Sequence, residues 1–474
     1  MNALLAALAV ILAGAVALTI PGGASAVVLC AACAYVAGLL LSRGEGEQRS
    51  FLIKVFVGGL LVRMAVGAVI NGFQLQEFFG GDAFTYDYYG QAVLDAYRFK
   101  KGVLDTDVQV WVSGSGWGML YIVASIYAIV GRNMLAVQFF NAVLGAATAP
   151  LIFLCARQIF QNQRVAKLAA LSVAFYPSLV LWSSQALKDG PIVFILALTM
   201  LATLRLGERL SVKYMLVLGF SLFAVLSLRF YVFYMLAAAA GGAFLIGMRP
   251  QTSQSIARTL AIVLALGLGL TYFGVTRMAS STFEQYGNLE AVQRSRADLA
   301  HSANTGFGRD VDVSTTSGAI SAIPLGLAYL LFAPFPWQLA SLRQSITLPE
   351  MIVWWGAFPL LIIGIWFTLK HRFRQAMPIL LFTTMLTLAY SIFQGNVGTA
   401  YRQRSQILVF YFIFVAVGAV LFKEKREDRD RELRLRRQAA ADAVKGRRVY
   451  ARWKERQGED LERIAEDISG RINF

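Results

Sequence analysis

The stretch FLIKVFVGGLLVRMAVGAVINGFQLQEFFGGDAFTYDYYGQ, residues 51–91, joins a long apolar run to a polar segment rich in carboxylates and aromatic rings. About 20 helical residues cross a hydrocarbon layer of about 30 Å, so the apolar run at 53–71 is long enough for a transmembrane helix. The polar segment, with Asp82 and Asp87, therefore begins where a helix leaves the membrane. Carboxylates in such a place are functional candidates.

Apolar runs of this length recur along the whole chain. Of its 474 residues 57% are hydrophobic and 15% charged, and the mean hydropathy is +0.57. This composition is typical of a membrane protein and predicts an all-α, polytopic fold with about twelve transmembrane helices. The predicted spans lie near residues 3–20, 24–42, 53–71, 134–156, 165–182, 190–205, 212–229, 231–247, 256–275, 350–369, 376–393 and 406–422.

Two shorter apolar pieces, at 116–130 and 319–335, decide the predicted topology. If neither piece crosses, most arginines and lysines outside the spans lie on one side, which the positive-inside rule assigns to the cytoplasm. If both crossed, arginines such as Arg157 and Arg205 would face outward. We therefore interpret them as juxtamembrane or re-entrant helices in outer loops. The resulting domains are a membrane domain at 1–422, with outer loops 72–133 and 276–349, and a charged cytoplasmic tail at 423–474.

This topology predicts a multi-pass protein of a bacterial cytoplasmic membrane with both termini in the cytoplasm. The net charge of +16 raises the possibility of nucleic-acid binding. The basic residues, however, cluster at helix ends and in the last fifty residues, so we expect the bilayer and no nucleic acid as a partner. Cys30, Cys33 and Cys155 lie in apolar runs and are interpreted as packing residues. With two histidines in the chain, a zinc site is not expected.

The first candidate site is the segment GGDAFTYDYYGQ. Asp82 stands where a helix N-cap would be, and this structural role competes with a catalytic one. On a helix, Asp82, Tyr86 and Tyr89 share one face, whereas Asp87 points away from them. A carboxylate beside two phenols suits a base that accepts a proton from a hydroxyl while the rings hold a sugar.

Two further candidates lie in turns predicted on the same side as Asp82. Lys188 and Asp189, in SSQALKDGP, suit the orientation of an acceptor or the binding of a phosphate, with helix capping as the alternative. Arg402 and Arg404, in GNVGTAYRQRSQ, face outward against the positive-inside trend, which favours a phosphate site over pairing with acidic groups or lipid. Arg229 is a candidate at the same level, with a snorkelling anchor as its alternative.

In their order, these motifs resemble the GT-C superfamily, the multispan glycosyltransferases that use polyprenyl-phosphate sugars. The resemblance lies in GDAFTY, in the helix pair at 157–177 and in LKDGP, and more loosely in AYRQRSQ. It implies a catalytic aspartate at Asp82, a second functional aspartate at Asp189, and basic groups that bind the carrier phosphate. No cofactor is required. A divalent cation held by the carboxylates stays an open alternative without support, because many relatives carry an acidic residue where this chain has Ala83.

The expected function is transfer of a sugar from a polyprenyl-phosphate-linked donor to a glycan, lipid or protein acceptor at the outer membrane face. Asp82 and Asp189 are the expected catalytic residues. The expected substrate-binding residues are Tyr86, Asp87, Tyr89, Lys188, Arg229, Arg402 and Arg404. An O-antigen-type polysaccharide polymerase and a transporter or flippase of lipid-linked sugars remain alternatives.

Overall fold

The computed structural model describes residues 3–43, 46–98, 106–114, 116–246, 253–301, 305–339 and 342–472. Within these ranges the chain is helical, apart from turns and one isolated β-bridge between Gly306 and Asn396. The predicted all-α class is confirmed.

The first seven helices contain the N-terminal apolar segments and the first polar loop. They are α1 (Ala3–Thr19), α2 (Gly23–Leu41), α3 (Gly46–Gly72), α4 (Gln76–Phe79), α5 (Asp82–Arg98), α6 (Thr106–Ser113) and α7 (Gly118–Val130). The next seven form the middle of the chain. They are α8 (Met134–Phe160), α9 (Gln163–Phe175), α10 (Pro177–Ser183), α11 (Asp189–Glu208), α12 (Val212–Leu228), α13 (Phe230–Ile246) and α14 (Ser253–Tyr272).

The last seven helices begin in the second polar loop and end in the charged tail. They are α15 (Val275–Tyr286), α16 (Leu289–His301), α17 (Thr316–Phe332), α18 (Leu342–His371), α19 (Phe373–Phe393), α20 (Val397–Gln403) and α21 (Ser405–Ile472). Both predicted outer loops thus contain helices, α4–α7 in the first and α15–α17 with the start of α18 in the second. Residues 99–105, 115, 302–304 and 340–341 of these loops lie outside the described residues.

The chain is a multi-pass membrane protein. Among the described residues, seven helices are long and apolar enough to cross a membrane, or up to ten if each of three sharply bent helix pairs counts as one span. The predicted number of about twelve is not confirmed. One reason is that α1, α12 and α13 have only 17 residues each, so length alone does not decide whether they cross.

The predicted span at 165–182 is broken at Pro177. Tyr176 is extended, as a residue before proline prefers, and Pro177 occupies the first turn of α10, where its missing N–H costs nothing. The axes of α9 and α10 are bent by 54°. The chain therefore leaves α10 at Ser183 and forms a compact turn before α11 begins at Asp189.

Helix α8 is central in this part of the chain, where it packs against α2, α3, α7, α9, α10 and α11. Small residues allow these close approaches. A Cβ on Gly145 would lie 2.4 Å from the Cβ of Ser183, so glycine lets the end of α10 rest directly on α8. Of the three cysteines interpreted as packing residues, Cys30 and Cys155 are buried and Cys33 is partly buried.

The chain divides into two compact units, of which one ends at Gly418 and the other begins at Ala419. The second unit is the charged part of α21. Its ion pair between Lys423 and Glu427, at 3.8 Å, joins residues one helical turn apart. The proposed boundary at residue 422 and the cytoplasmic position of the tail stay predictions.

Candidate active site

Residues at four connections between helices meet, so that charged side chains distant in the chain come together. Asp82 opens α5, Asp189 opens α11, Arg229 joins α12 to α13, and Arg402 lies in α20. Arg402 is the centre of this ion cluster. Its Nε and Nη2 lie 2.8 and 2.7 Å from Asp189 Oδ2, and its Nη1 lies 2.6 Å from Asp82 Oδ2.

The two carboxylates of this cluster differ in their access to solvent. The side chain of Asp189 is 1% exposed, and Arg229 adds a second cation at 3.7 Å from its Oδ1. The side chain of Asp82 is 54% exposed. Asp189 is therefore covered by its arginines, whereas Asp82 is accessible to solvent.

Lys188 adds a third cation beside the ion pairs. Its Nζ lies 2.8 Å from the place that a Cβ on Gly116 would occupy, and the φ of +90° at Gly116 favours glycine there. Burial, and then the charge of Arg229, lowers the pKa of Lys188 to about 8. Three cations against two carboxylates leave one net positive charge, which suits a bound anion.

A cleft of about 400 Å³ is formed in part by chain segments that also carry the cluster. Trp117 and Phe230 of its wall directly follow Gly116 and Arg229 in the chain, and Gly116 lies against Lys188. The wall mixes aromatic rings with hydroxyl and amide groups. It is formed by Val112, Ser113, Gly114, Trp117, Tyr121, Leu226, Phe230, Met278, Ser281, Thr282 and Gln285.

The two tyrosines predicted on the face of Asp82 have different surroundings. Tyr86 is buried beside the ion cluster, and this burial raises the pKa of its phenol. Tyr89 stacks on Trp111, with ring centroids 4.8 Å apart, and Trp111 is exposed. Tyr86 thus lies with the charges, and Tyr89 belongs to an aromatic surface further along α5.

Asp87 does not lie in the ion cluster, and its role in substrate binding stays a prediction. Its carboxylate accepts a hydrogen bond from the Tyr127 hydroxyl and forms an ion pair with Arg132 at 2.5 Å. These partners belong to α7 and to the turn before α8. The geometry therefore makes Asp87 an anchor that holds α5 against α7, consistent with the predicted direction of its side chain away from Asp82.

Arg404 also lies outside the ion cluster, and its role in substrate binding stays a prediction. It is fully buried, and its Nη1 donates to the carbonyl oxygens of Leu331 and Ala333, at 3.1 and 3.2 Å. The end of α20 separates it from Arg402, and residues two apart on a helix point in different directions. The expected arginine pair is therefore a single arginine at the site and a second one that caps the end of α17.

The structure also identifies residues near the cluster that the sequence did not single out. The ring of Trp182 lies 5.7 Å from the Arg402 guanidinium, within range of a cation–π contact. Asn141 Nδ2 donates to the carbonyl oxygens of Gln185 and Leu187, both at 2.7 Å, and so holds the turn before Asp189. Trp182 and Asn141 could not be singled out from the sequence, because aromatic and amide residues are common in apolar helices. Arg63 could have been singled out, because an arginine inside a predicted span is unusual.

In the described ranges, no group of three or more histidine, cysteine, aspartate or glutamate side chains could hold a metal ion. Asp82 and Asp189 each bind Arg402 instead.

A family model described as Dolichyl-phosphate-mannose-protein mannosyltransferase matches residues 116–273. The resemblance to the GT-C superfamily is confirmed. The match covers about a third of the chain, from α7 to α14, and contains Lys188, Asp189 and Arg229. Asp82 and Arg402 lie outside the matched stretch of this GT-C family. The match supports the predicted enzyme class, a GT-C glycosyltransferase.

Comparison with curated proteins gives no match. Among solved structures, the chain is similar to an archaeal oligosaccharyltransferase, AglB from Archaeoglobus fulgidus, in complex with an inhibitory peptide and a dolichol-phosphate. The identity is 15%, the TM-score 0.39, and the coverage 67% of this chain and 43% of that one. The apo form of an Archaeoglobus fulgidus oligosaccharyltransferase is 15% identical, with a TM-score of 0.44 and coverage of 80% and 52%. The chain thus spans about half or less of these proteins, and at such TM-scores the likeness carries no functional assignment.

Proposed function

We propose that the protein transfers a sugar from a polyprenyl-phosphate-linked donor to an acceptor at the outer face of a bacterial cytoplasmic membrane. The pathway would be the biosynthesis of a cell-envelope glycan, polysaccharide or glycolipid. The observation that carries this proposal is the ion cluster, which combines one excess positive charge with one solvent-accessible carboxylate. The family match supports the choice of a lipid-linked donor.

The proposed reaction uses the two ends of the Arg402 guanidinium differently. Its Nε–Nη2 edge is held by Asp189, while Nη1 faces Asp82. A donor phosphate that binds Nη1 replaces Asp82 as its partner, and the freed carboxylate can then act as a base. Because Arg229 and Lys188 adjoin the same point, they share the negative charge of the phosphate.

In the chemical step, the oxygen of the acceptor hydroxyl attacks the anomeric carbon of the sugar. The bond from that carbon to the phosphate oxygen breaks, and the phosphate keeps the electron pair. The hydroxyl proton passes to Asp82. Asp189 is too deeply buried to reach the acceptor, so its predicted catalytic role becomes one of holding Arg402 and Arg229 in place. Neither arginine gives up a proton, because guanidinium groups stay charged.

The cleft suits the part of the donor next to its phosphate. Its volume of about 400 Å³ falls within the usual range for small-molecule sites. Aromatic walls such as Trp117 and Tyr121 suit the face of a sugar or an isoprene unit, and the hydroxyl groups of Ser281 and Thr282 suit polar contacts to a sugar.

The first test is release of free polyprenyl phosphate by the wild-type protein in vesicles. The vesicles contain a panel of polyprenyl-phosphate sugars, with candidate acceptors added. We expect release that depends on both the donor and the acceptor. Release from an oligosaccharide on a pyrophosphate carrier alone would favour the polymerase. Movement of the donor between leaflets without cleavage would favour the flippase, and either result would overturn the proposal.

Lys188 gives the proposal a dependence on pH. The ammonium form binds phosphate and prevails below the pKa of about 8, so we expect kcat/KM for the donor to fall as pH rises through this value. The profile of kcat/KM reports groups of the free enzyme. Lys188→Gln is expected to lower kcat/KM at neutral pH and to remove the fall.

The matched control for this measurement is Lys167→Gln. Lys167 pairs with Glu47 at 2.6 Å at the opposite end of α9, away from the ion cluster. The control should keep the wild-type profile. If Lys188→Gln also keeps it, Lys188 does not bind the phosphate.

A further inference from the structure

Arg63 lies in the middle of α3 and is fully buried. Its guanidinium donates to oxygen atoms of neutral groups on two neighbouring helices. Nε donates to the hydroxyl of Ser183 at 2.7 Å. Nη1 donates to the carbonyl oxygen of Ala174 at 2.7 Å, and Nη2 to that of Val173 at 3.3 Å. A further bond from Nη1, at 3.0 Å, goes to the carbonyl of Gly59 on its own helix.

These acceptors lie on both sides of the break in the span that α9 and α10 form. In an uninterrupted helix, the carbonyl of Val173 would accept from residue 177, but Pro177 has no N–H. The carbonyl of Ala174 also loses its partner, because α9 ends at Phe175. Each unsatisfied carbonyl in a membrane interior costs several kcal/mol. Arg63 satisfies both, and on the other side of the break it holds the last residue of α10.

The same guanidinium stands directly behind the turn that carries Lys188 and Asp189. Arg63, Ser183 and Asp189 line one small cavity of about 10 Å³. Ser183 is in turn fixed by a bond from its hydroxyl to the carbonyl of Leu179 at 2.6 Å. The five residues between Ser183 and Asp189 are too few to absorb a displacement of α10, and Asn141 holds two of their carbonyls.

We propose that Arg63 is a positioning residue for Asp189. By bonding to both sides of the break, it sets the angle between α9 and α10 and hence the place where α11 begins. Asp189 then holds Arg402 and Arg229 at the ion cluster. The importance of this placement for sugar transfer rests on the proposed function, but the placement itself does not. The hydrogen bonds of Arg63 come from several N–H groups of one planar guanidinium. A lysine, with a single ammonium group, cannot replace them.

A double-mutant cycle on thermal stability tests the proposal without any substrate. Arg63→Met, Asp189→Asn and their combination are compared with the wild type in the same detergent. If Arg63 places Asp189 on Arg402, the ion pair is already weakened in Arg63→Met. Asp189→Asn should then lower the midpoint of unfolding much less in that background than in the wild type. Equal shifts in the two backgrounds would overturn the proposal.

The control for a purely structural effect is Ile152→Ala. Ile152 is buried in α8, and its truncation removes packing but none of the hydrogen bonds that Arg63 makes across the break. Its loss of stability should add to that of Asp189→Asn. If Arg63→Met does not fold, Ser183→Ala removes one bond of the guanidinium and takes its place in the cycle. The same outcome is then expected.

Once transfer has been measured, kinetics give the second readout. Arg63→Met and Arg63→Lys, assayed below their unfolding temperatures, should lower kcat at least tenfold, whereas Ile152→Ala should keep the wild-type kcat. In the Asp189→Asn background, Arg63→Met should lower kcat little further. If the wild type transfers no sugar, the proposed function fails and the stability cycle still decides the role of Arg63. If transfer occurs and the cycle is additive, only the role of Arg63 fails.

Discussion

Asp82→Asn is expected to lower the rate of sugar transfer by about 10²–10⁴-fold, the range that general acid–base catalysis contributes. The amide has nearly the shape of the carboxylate but cannot take up the proton of the acceptor. Stability should change little, because the Asp82 side chain is 54% exposed and solvent-exposed ion pairs contribute at most about 1 kcal/mol. The measurement is release of free polyprenyl phosphate in saturating donor, together with the unfolding midpoint.

Asp87→Asn is the matched control for this variant. It makes the same change on the same helix, at a carboxylate that pairs with Arg132 and Tyr127. We expect it to lower the unfolding midpoint slightly and to leave kcat within a few-fold of the wild type. If Asp82→Asn also transfers sugar at nearly the wild-type rate, Asp82 is only a residue at the start of α5.

The helical, multi-pass architecture could be predicted from the sequence because apolar length and composition act locally. Each predicted span corresponds to a helix or a helix pair of the structure. The break at Pro177 shows where such reasoning stops. Proline and the residue before it predict an interruption, but the direction of the bend depends on Arg63, which comes from another helix. The number of spans stays open because three of the predicted ones are short helices of 17 residues.

The sequence could predict those residues of the candidate site that are identified by their side of the membrane alone. Asp82, Lys188, Asp189, Arg229 and Arg402 all lie at helix ends predicted on one side, and the structure brings them together. What the sequence could not decide is which way each side chain points. Asp87 and Arg404 are predicted on the same side, but Asp87 pairs with Arg132 and Arg404 donates to backbone carbonyls. Partners of this kind depend on tertiary packing, which no local pattern records.

The largest combined effect on activity and stability is expected for Arg402→Gln. This change removes the cation between Asp82 and Asp189 and leaves the buried Asp189 with Arg229 at 3.7 Å. Breaking a buried ion pair from one side costs about 3–5 kcal/mol, because an uncompensated charge remains. Loss of a group that stabilises the charge of the leaving phosphate lowers the rate by about 10²–10³-fold. The readouts are the unfolding midpoint and kcat, both in reconstituted protein.

A second substitution separates the two effects. In Arg402→Gln with Asp189→Asn, the buried carboxylate is neutral, so much of the lost stability should return. Transfer should stay low in the double variant, because neither change restores a positive charge for the phosphate. Arg132→Gln is the control, since it also frees a carboxylate, Asp87, but outside the cluster. If the double variant recovers transfer together with stability, Arg402 acts only as a structural partner of Asp189. The phosphate would then have to be bound by Arg229 and Lys188 alone.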